Sequence, residues 1–239
     1  MNARRGVLST LAMTVCLAVA LPAAAGNVNK GFKVSAGESS NGGSSVNGRV
    51  LAETGAIVSG DLQTVNGSVT LESGVQAHEV QSVNGRVRVG DDSSVHSVMT
   101  VNGRNKIGER VIVDGEVSTV NGAITVGSGS SVTGDVTAVN GKIELIAVRV
   151  DGDVVNTNGG MEILDGTRIG GSVIVKKTKN WWKSGNKNKV PRIVIGPNVV
   201  IEGTLVLERE VELYIHETAT VESVEGKNID IQRYSGSRP

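Results

Sequence analysis

The segment TVNGAITVGSGSSVTGDVTAVNGKIEL, residues 119–145, contains the same pattern twice. Valine precedes Asn-Gly at 120–122 and again at 139–141, and an aliphatic residue follows two positions after each glycine. Small residues separate the two copies. Alternation of apolar and polar residues with a period of two is typical of β-strands, and Asn-Gly is typical of a tight corner. The segment therefore predicts short strands joined by turns.

The Asn-Gly pair recurs at a fixed interval of 18 or 19 residues through most of the chain. The corner asparagines are Asn47, Asn66, Asn84, Asn102, Asn121, Asn140 and Asn158. A constant period of this length indicates a repeat architecture, in which one unit cannot bury its own apolar face but stacked units can. We predict an all-β, single-domain parallel β-helix, that is, a β-solenoid, with coils of 18–19 residues.

Two physical reasons would place Asn-Gly at the same corner of every coil. Stacked asparagines can hydrogen-bond through their side-chain amides into a ladder. Asparagine and glycine also tolerate positive φ, which a corner often requires. A β-hairpin is the alternative local explanation. Aliphatic residues do not recur every six positions, as a left-handed hexapeptide helix requires, so the spacing favours a right-handed β-helix.

The N-terminal 25 residues have the pattern of a secretory signal peptide: two arginines, an apolar run and Ala23-Ala24-Ala25. The single cysteine, Cys16, lies inside this segment, so the mature chain would suit an oxidising compartment. We expect export to the periplasm, the outer membrane or the medium. Residues 26–45 are predicted as a flexible lead-in or N-terminal cap, 46–231 as the solenoid, and 232–239 as a C-terminal tail.

An insertion at residues 176–192 interrupts the repeat and is predicted to leave the solenoid as a loop. It contains both tryptophans and no acidic residue. Basic charge attracts anionic partners, and paired aromatic rings add stacking or interfacial contact. An anionic glycan, a lipid head group or an acidic protein would fit, whereas no specific nucleic acid is expected; alternatively, the tryptophans cover a coil. The candidate contact residues are Lys176, Lys177, Lys179, Trp181, Trp182, Lys183, Lys187, Lys189 and Arg192.

Other columns of residues repeat with the coils. One follows each Asn-Gly pair and reads Arg49, Ser68, Arg86, Arg104, Ala123, Lys142 and Gly160. An acidic column comprises Asp61, Glu79, Glu116, Asp135 and Asp153. A column of hydroxyl side chains resembles an ice-binding face and comprises Thr64, Ser82, Thr100 and Thr119. Stacked like charges repel and are expected to attract counter-ions or an oppositely charged partner.

Catalytic and metal-binding patterns are weak in this sequence. His78 and His96 lie one period apart and are expected to stack at one corner. Two histidines are too few to define a metal site, and the sequence contains no nucleophile motif. We therefore predict no cofactor, no metal and no enzymatic activity.

The repeated units Val-Asn-Gly-x-Val and Val-x-Gly-Asp-Val, over roughly residues 46–231, resemble the bacterial adhesin-type β-strand-repeat proteins. The phrases SSVTGDVTA and NVVIEGTLVL are similar to bactofilins, a family of polymer-forming cytoskeletal proteins. Both resemblances imply a right-handed β-helix without a cofactor, and the second implies end-to-end filaments. An export signal departs from the bactofilin pattern, because bactofilins normally work on the cytoplasmic side.

These patterns together predict a non-catalytic, exported structural or adhesive solenoid of the cell envelope or surface. A self-assembling, bactofilin-like filament protein is the first alternative. A polysaccharide-acting β-helix enzyme is the second.

Overall fold

The computed structural model describes residues 28–177, 190–227 and 229–239, and these ranges contain 27 strands and no helix. The predicted signal peptide lies outside the described residues. In chain order the strands are β1 (Phe32–Val34), β2 (Ser39–Ser40), β3 (Gly43–Ser45), β4 (Val50–Ala52), β5 (Ile57–Val58), β6 (Leu62–Thr64), β7 (Val69–Leu71), β8 (Gln76–Ser82), β9 (Val87–Val89), β10 (Ser94–Thr100), β11 (Asn105–Ile107), β12 (Ile112–Val113), β13 (Val117–Thr119), β14 (Ile124–Val126), β15 (Ser131–Val132), β16 (Val136–Ala138), β17 (Ile143–Ile146), β18 (Arg149–Val150), β19 (Val154–Asn156), β20 (Met161–Leu164), β21 (Arg168–Ile169), β22 (Val173–Val175), β23 (Arg192–Ile195), β24 (Val200–Leu207), β25 (Glu212–His216), β26 (Thr220–Gly226) and β27 (Ile231–Tyr234).

The strands form three flat faces along the stack. Face 1 is an 11-stranded sheet with one strand per coil, in the order β1-β4-β7-β9-β11-β14-β17-β20-β23-β25-β27. A 16-stranded sheet supplies the other two faces. Face 2 contains the two-residue strands such as β12 and β15, face 3 contains strands such as β13 and β16, and the long strands β8, β10, β24 and β26 cross both.

Every strand pairing among the described residues is parallel, and each strand pairs with its equivalent one coil away. Val50 pairs with Val69, and Val69 with Val87, so the register advances by one coil of 19 or 18 residues. The predicted parallel β-solenoid is confirmed, and the β-hairpin alternative is wrong because a hairpin pairs its strands antiparallel. Right-handedness stays a prediction.

Aliphatic columns fill the interior. On face 1 the inward positions stack Val50, Val69 and Val87 directly over one another, and all three side chains are fully buried. Burial of a valine, leucine or isoleucine side chain contributes about 1.5–3 kcal/mol. Repetition of one aliphatic residue per coil fills the space that aromatic rings fill in other cores. This explains how a chain with 2% aromatic residues forms a continuous core.

Asn105 and Met161 occupy the same inward column of face 1. Asn105 pairs in register with Val87 and Ile124 and is fully buried, so this polar side chain continues the aliphatic column. Its Nδ2 donates to the carbonyl oxygen of Ser118 at 2.8 Å, which satisfies one end of the amide. Met161 pairs with Ile143 in the same column.

Three corners separate the faces, and each has its own residues. The Asn-Gly corner joins face 3 to face 1 and contains the seven Asn-Gly pairs. The left-handed corner joins face 1 to face 2 and has a residue with positive φ in each coil from Gly37 to Asn198, with two such residues, Asp165 and Gly166, in one coil. The Gly-Asp bend lies between faces 2 and 3, as at Gly134-Asp135.

The two ends of the stack differ. At the N-terminal end, β1–β3 already pair with the next coil, and the ring of Phe32 fills the space where a Cβ of Gly43 would lie. At the C-terminal end, β26 pairs with β24 and β27 pairs with β25. Ile231 is 38% exposed there. Within the described residues the outermost strands pair on one side only at both ends, and the ring of Phe32 packs against the core at the N-terminal end.

Candidate functional surfaces

The asparagines of the Asn-Gly corner form a continuous exposed ladder. Each Nδ2 donates to the Oδ1 of the asparagine one coil before, at 2.7–3.0 Å. The predicted ladder is confirmed. It also extends one coil further than expected, because Asn47 donates to Asn29 at 3.0 Å. The period would have identified Asn29, which lies 18 residues before Asn47 but is followed by lysine instead of glycine.

The glycines of this corner are required by contact between coils and not by backbone conformation. None of the corner asparagines, nor the glycines that follow them, has positive φ, so the expectation of positive φ was wrong. A Cβ on Gly122 would instead overlap the carbonyl oxygen of Gly103, and a Cβ on Gly141 would overlap that of Gly122. Successive coils approach so closely here that only a hydrogen atom fits.

Buried hydroxyl groups support this corner from inside. The side chains of Thr64, Ser82, Thr100 and Thr119 are at most 3% exposed. Thr64 Oγ1 donates to the carbonyl oxygen of Gly48 at 3.0 Å, and Ser82 Oγ donates to that of Gly67 at 2.9 Å. The column that resembled an ice-binding face is therefore internal and has a structural role.

The ladder ends where the repeat is interrupted. Asn158 is the last corner asparagine, and the next coil contains the insertion. Arg209 lies two coils after Asn158 in the stack. Its Nη1 donates to Oδ1 of Asn158 at 3.4 Å and to the carbonyl oxygen of Thr157 at 3.3 Å. A guanidinium group thus covers the acceptor end of the ladder.

The Lys/Trp segment, residues 176–192, leaves the solenoid at the Asn-Gly corner, between β22 on face 3 and β23 on face 1. The backbone nitrogen of Lys177 donates to Oε2 of Glu208 at 3.0 Å. The guanidinium carbon of Arg192 lies 4.9 Å from the centre of the Tyr214 ring, within the range of a cation–π contact. Lys179, Trp181, Trp182, Lys183, Lys187 and Lys189 lie outside the described residues. Their predicted contact role stays a prediction.

Carboxylates of the Gly-Asp bend bind backbone nitrogens of the following coil. Oδ1 of Asp135 accepts from the nitrogen of Asp153 at 2.8 Å, and Oδ1 of Asp153 accepts from that of Ser172 at 2.7 Å. The acidic column is also interrupted, because Ser97 lies between Glu79 and Glu116 in the stack. Carboxylates of this column therefore connect successive coils through hydrogen bonds. The sequence had instead suggested a column of free anionic side chains.

Two histidines replace glycine at this bend and stack as expected. The rings of His78 and His96 are parallel within 5°, with centroids 4.9 Å apart. Nδ1 of His78 lies 2.8 Å from Oδ1 of Asp61, and Nδ1 of His96 lies 2.6 Å from Oδ1 of Asp114. The hydrogen bond with Asp61 raises the pKa of His78 above its usual value. Four side chains from successive coils thus form an Asp-His-His-Asp stack.

An open depression of about 450 Å³ lies beside this stack, with Glu79, His96, Glu116 and Asp135 in its lining. Among the described residues, no group of three or more His, Cys, Asp or Glu side chains is arranged to hold a metal ion. The same ranges contain no helix of sufficient length and apolarity to cross a membrane.

The fold and these surfaces define the protein as a β-solenoid repeat protein. No protein-family model, curated protein or solved structure matches this chain. The resemblances to adhesin-type repeat proteins and to bactofilins therefore stay predictions.

Proposed function

We propose that the protein is a non-catalytic structural element of the cell envelope or surface, exported by a cleaved signal peptide. It acts as a stiff scaffold or adhesive spacer and contacts its partner through the Lys/Trp segment.

The continuity of the stack carries this proposal. Hydrogen-bonded faces, aliphatic columns and the asparagine ladder all run parallel to the solenoid axis. Eleven strands spaced by about 4.8 Å correspond to a rod about 50 Å long. A load along this axis is shared among the hydrogen bonds of three faces, which suits a spacer.

The position of the Lys/Trp segment supports a contact role. Its two ends emerge at a corner of the rod, and the neighbouring coils close beneath it, since Val175 pairs directly with Leu207. The chain therefore returns to the same stack after the insertion. Of this segment, Lys176 and Arg192 still bond to or pair with neighbouring coils, so the strand register is complete up to both of its ends.

Export is tested first by N-terminal sequencing of the protein recovered from the periplasm and the medium. We expect a chain that begins at Gly26. A chain that keeps Met1 and remains in the cytoplasm contradicts the proposal. The contact role is tested by co-sedimentation with isolated envelope fractions. Trp181→Ala/Trp182→Ala should lose binding, while the paired substitution Arg149→Ser/Arg168→Ser on face 2 should not.

End-to-end self-assembly is the second candidate, and the exposed edges of β26 and β27 favour it. In the described part of the chain each of these strands pairs on one side only. Unpaired strand edges are templates for another chain. Light scattering and negative-stain microscopy over a range of concentrations should give filaments for residues 26–239 and for a form lacking 178–190. Ile231→Lys should abolish them, and monomers of all three proteins would contradict this candidate.

A further inference from the structure

We propose that four basic side chains on face 1, Arg86, Arg88, Arg104 and Lys106, form a binding surface for a linear acidic polysaccharide. We refer to them as the basic quartet. This inference does not depend on the Lys/Trp segment.

The register of the coils assembles the quartet from two copies of the repeat. Arg88 pairs directly with Lys106 across β9 and β11. Arg86 and Arg104 also lie on adjacent coils, because the nitrogen of Val87 donates to the carbonyl oxygen of Arg104 at 3.1 Å. Neighbouring coils are about 4.8 Å apart, and alternate residues of a strand are about 7 Å apart on the same face. Four cations thus occupy one small rectangle.

These four side chains are exposed and make no ion pair or hydrogen bond within the described residues. Two other cations on the same face are paired: Lys33 lies 2.7 Å from Glu53, and Lys142 lies 2.7 Å from Glu162. Clustered unpaired cations repel one another and raise the local concentration of anions. The quartet is therefore electrostatically complementary to a polymer with closely spaced negative groups.

The surroundings of the quartet favour a polysaccharide over a membrane or a nucleic acid. The exposed amides of Asn84 and Asn102 lie two residues before Arg86 and Arg104. Each amide uses one N–H in the ladder and keeps a second for a sugar hydroxyl. Within the described ranges, the large exposed apolar side chains are Val28, Ile57, Ile112 and Ile231, and none belongs to these two strands. Neither strand contains an aromatic ring on which a base could stack.

Neighbouring coils supply the substitutions for the test. Thr70 pairs with Arg88 from one side, and Thr125 pairs with Lys106 from the other, so Arg88→Thr/Lys106→Thr restores residues that these columns already contain. Ser68 precedes Arg86 in its column, which gives Arg86→Ser/Arg104→Ser as a second, independent variant. The matched control is Arg149→Ser/Arg168→Ser, which removes the same charge from face 2, where Ser131 occupies that column.

Binding of the full chain to polygalacturonate is measured by affinity electrophoresis in gels that contain this polymer. Gels that contain neutral dextran are the control for charge, and the melting temperature of each variant checks that it is folded. Each quartet variant should bind about tenfold more weakly, with a shallower dependence on salt, because fewer counter-ions are released. The control and Trp181→Ala/Trp182→Ala should bind like the unmodified chain.

Four results would overturn the proposal. Equal weakening by the control would mean that net charge alone matters. Unchanged binding of both quartet variants would exclude this surface. Quartet-dependent binding to phosphatidylglycerol vesicles without binding to polygalacturonate would assign the surface to a membrane. Loss of binding only in the tryptophan variant also counts against the quartet and in favour of the Lys/Trp segment.

Discussion

The Asn-Gly corner and the left-handed corner bound face 1 on opposite sides, and they restrict the sequence differently. At the Asn-Gly corner the coils are in contact, and each of the seven corner glycines would place a Cβ against the backbone of the coil before. At the left-handed corner the ten positive-φ positions are occupied by Gly37, Gly55, Gly74, Asp92, Arg110, Gly129, Ala147, Asp165, Gly166 and Asn198. Five residue types adopt the same unfavourable conformation there.

The difference shows that contact between coils restricts residue identity more strongly than backbone conformation does. A left-handed residue costs about 1–2 kcal/mol without glycine, which a large stack can absorb. Overlap with a carbonyl oxygen requires the coils to separate, and neighbouring hydrogen bonds are then lost. Four predictions test this comparison, from the largest expected effect to the smallest.

Gly122→Ala should have the largest effect, a loss of about 3 kcal/mol in the free energy of unfolding, because its Cβ overlaps the Gly103 carbonyl oxygen and overpacked sites cannot relax. Gly55→Ala is the matched control at the left-handed corner. It has φ of +70° and no atom within 4 Å of the added Cβ, so its cost should be about 1–2 kcal/mol. Urea unfolding followed by circular dichroism measures both. Equal losses would remove the distinction between the corners.

Asn121→Ala should cost about 1–2 kcal/mol, because Asn121 donates to Asn102 and accepts from Asn140. Asn29 makes one ladder bond, as the acceptor from Asn47, so Asn29→Ala should cost about half as much. The comparison uses the same unfolding experiment. If the ladder contributed nothing to stability, both variants would have the same free energy of unfolding as the unmodified protein.

Ala147→Gly should stabilise the protein by about 0.5–1 kcal/mol, because Ala147 has φ of +50° and glycine relieves that strain at some entropic cost. Ala123, which follows Gly122 and has no positive φ, is the control, and Ala123→Gly should destabilise by a similar amount. Relative to the unmodified protein, Ala147→Gly should raise the melting temperature and Ala123→Gly should lower it. A loss in both variants would show that the left-handed corner is not strained.

The smallest effect concerns the Gly-Asp bend, where His78 faces Asp61, Glu79, Asp114 and the ring of His96. The folded-state pKa of His78 is raised, so its contribution to stability is complete below about pH 6.5 and is lost as pH rises through the folded value. Because the pair is half exposed, the contribution should be below about 1 kcal/mol.

Nuclear magnetic resonance titration of the His78 ring measures its pKa directly. His78→Gln should remove this part of the pH dependence, whereas His216→Gln should leave it unchanged. A His78 pKa at or below 6.5 would contradict the assignment.

The fold was predictable because Asn-Gly and its flanking aliphatic residues recur with a nearly constant period. The sequence also predicted the asparagine ladder and the histidine stack, since equal spacing places equivalent residues in adjacent coils. It could not show why glycine follows asparagine, because close approach of Gly103 and Gly122 depends on coil geometry. The left-handed corner was missed because Asp92, Arg110 and Ala147 share a conformation but no chemistry.

The sequence alone did not predict the basic quartet, for a related reason. Arg86 and Arg104 were visible in one column, but Arg88 and Lys106 belong to a second column that also contains threonine. Their proximity follows from a coil length of 18 residues at this point and from the outward direction of both columns. The Lys/Trp segment was the more conspicuous feature of the sequence, and six of its nine candidate residues lie outside the described ranges.

The asparagine ladder also bears on the chemical stability of the asparagine side chains against deamidation. In mobile chains, Asn-Gly is the dipeptide most prone to deamidation: the glycine nitrogen attacks the side-chain amide carbon and expels ammonia, and water then opens the resulting succinimide to aspartate or isoaspartate. Here each amide is held by its neighbours, as Asn102 is held between Asn84 and Asn121. A coil that opens would lose this protection, and each new carboxylate would remove one donor from the ladder. Folding thus preserves the chemical integrity of its own most repeated sequence.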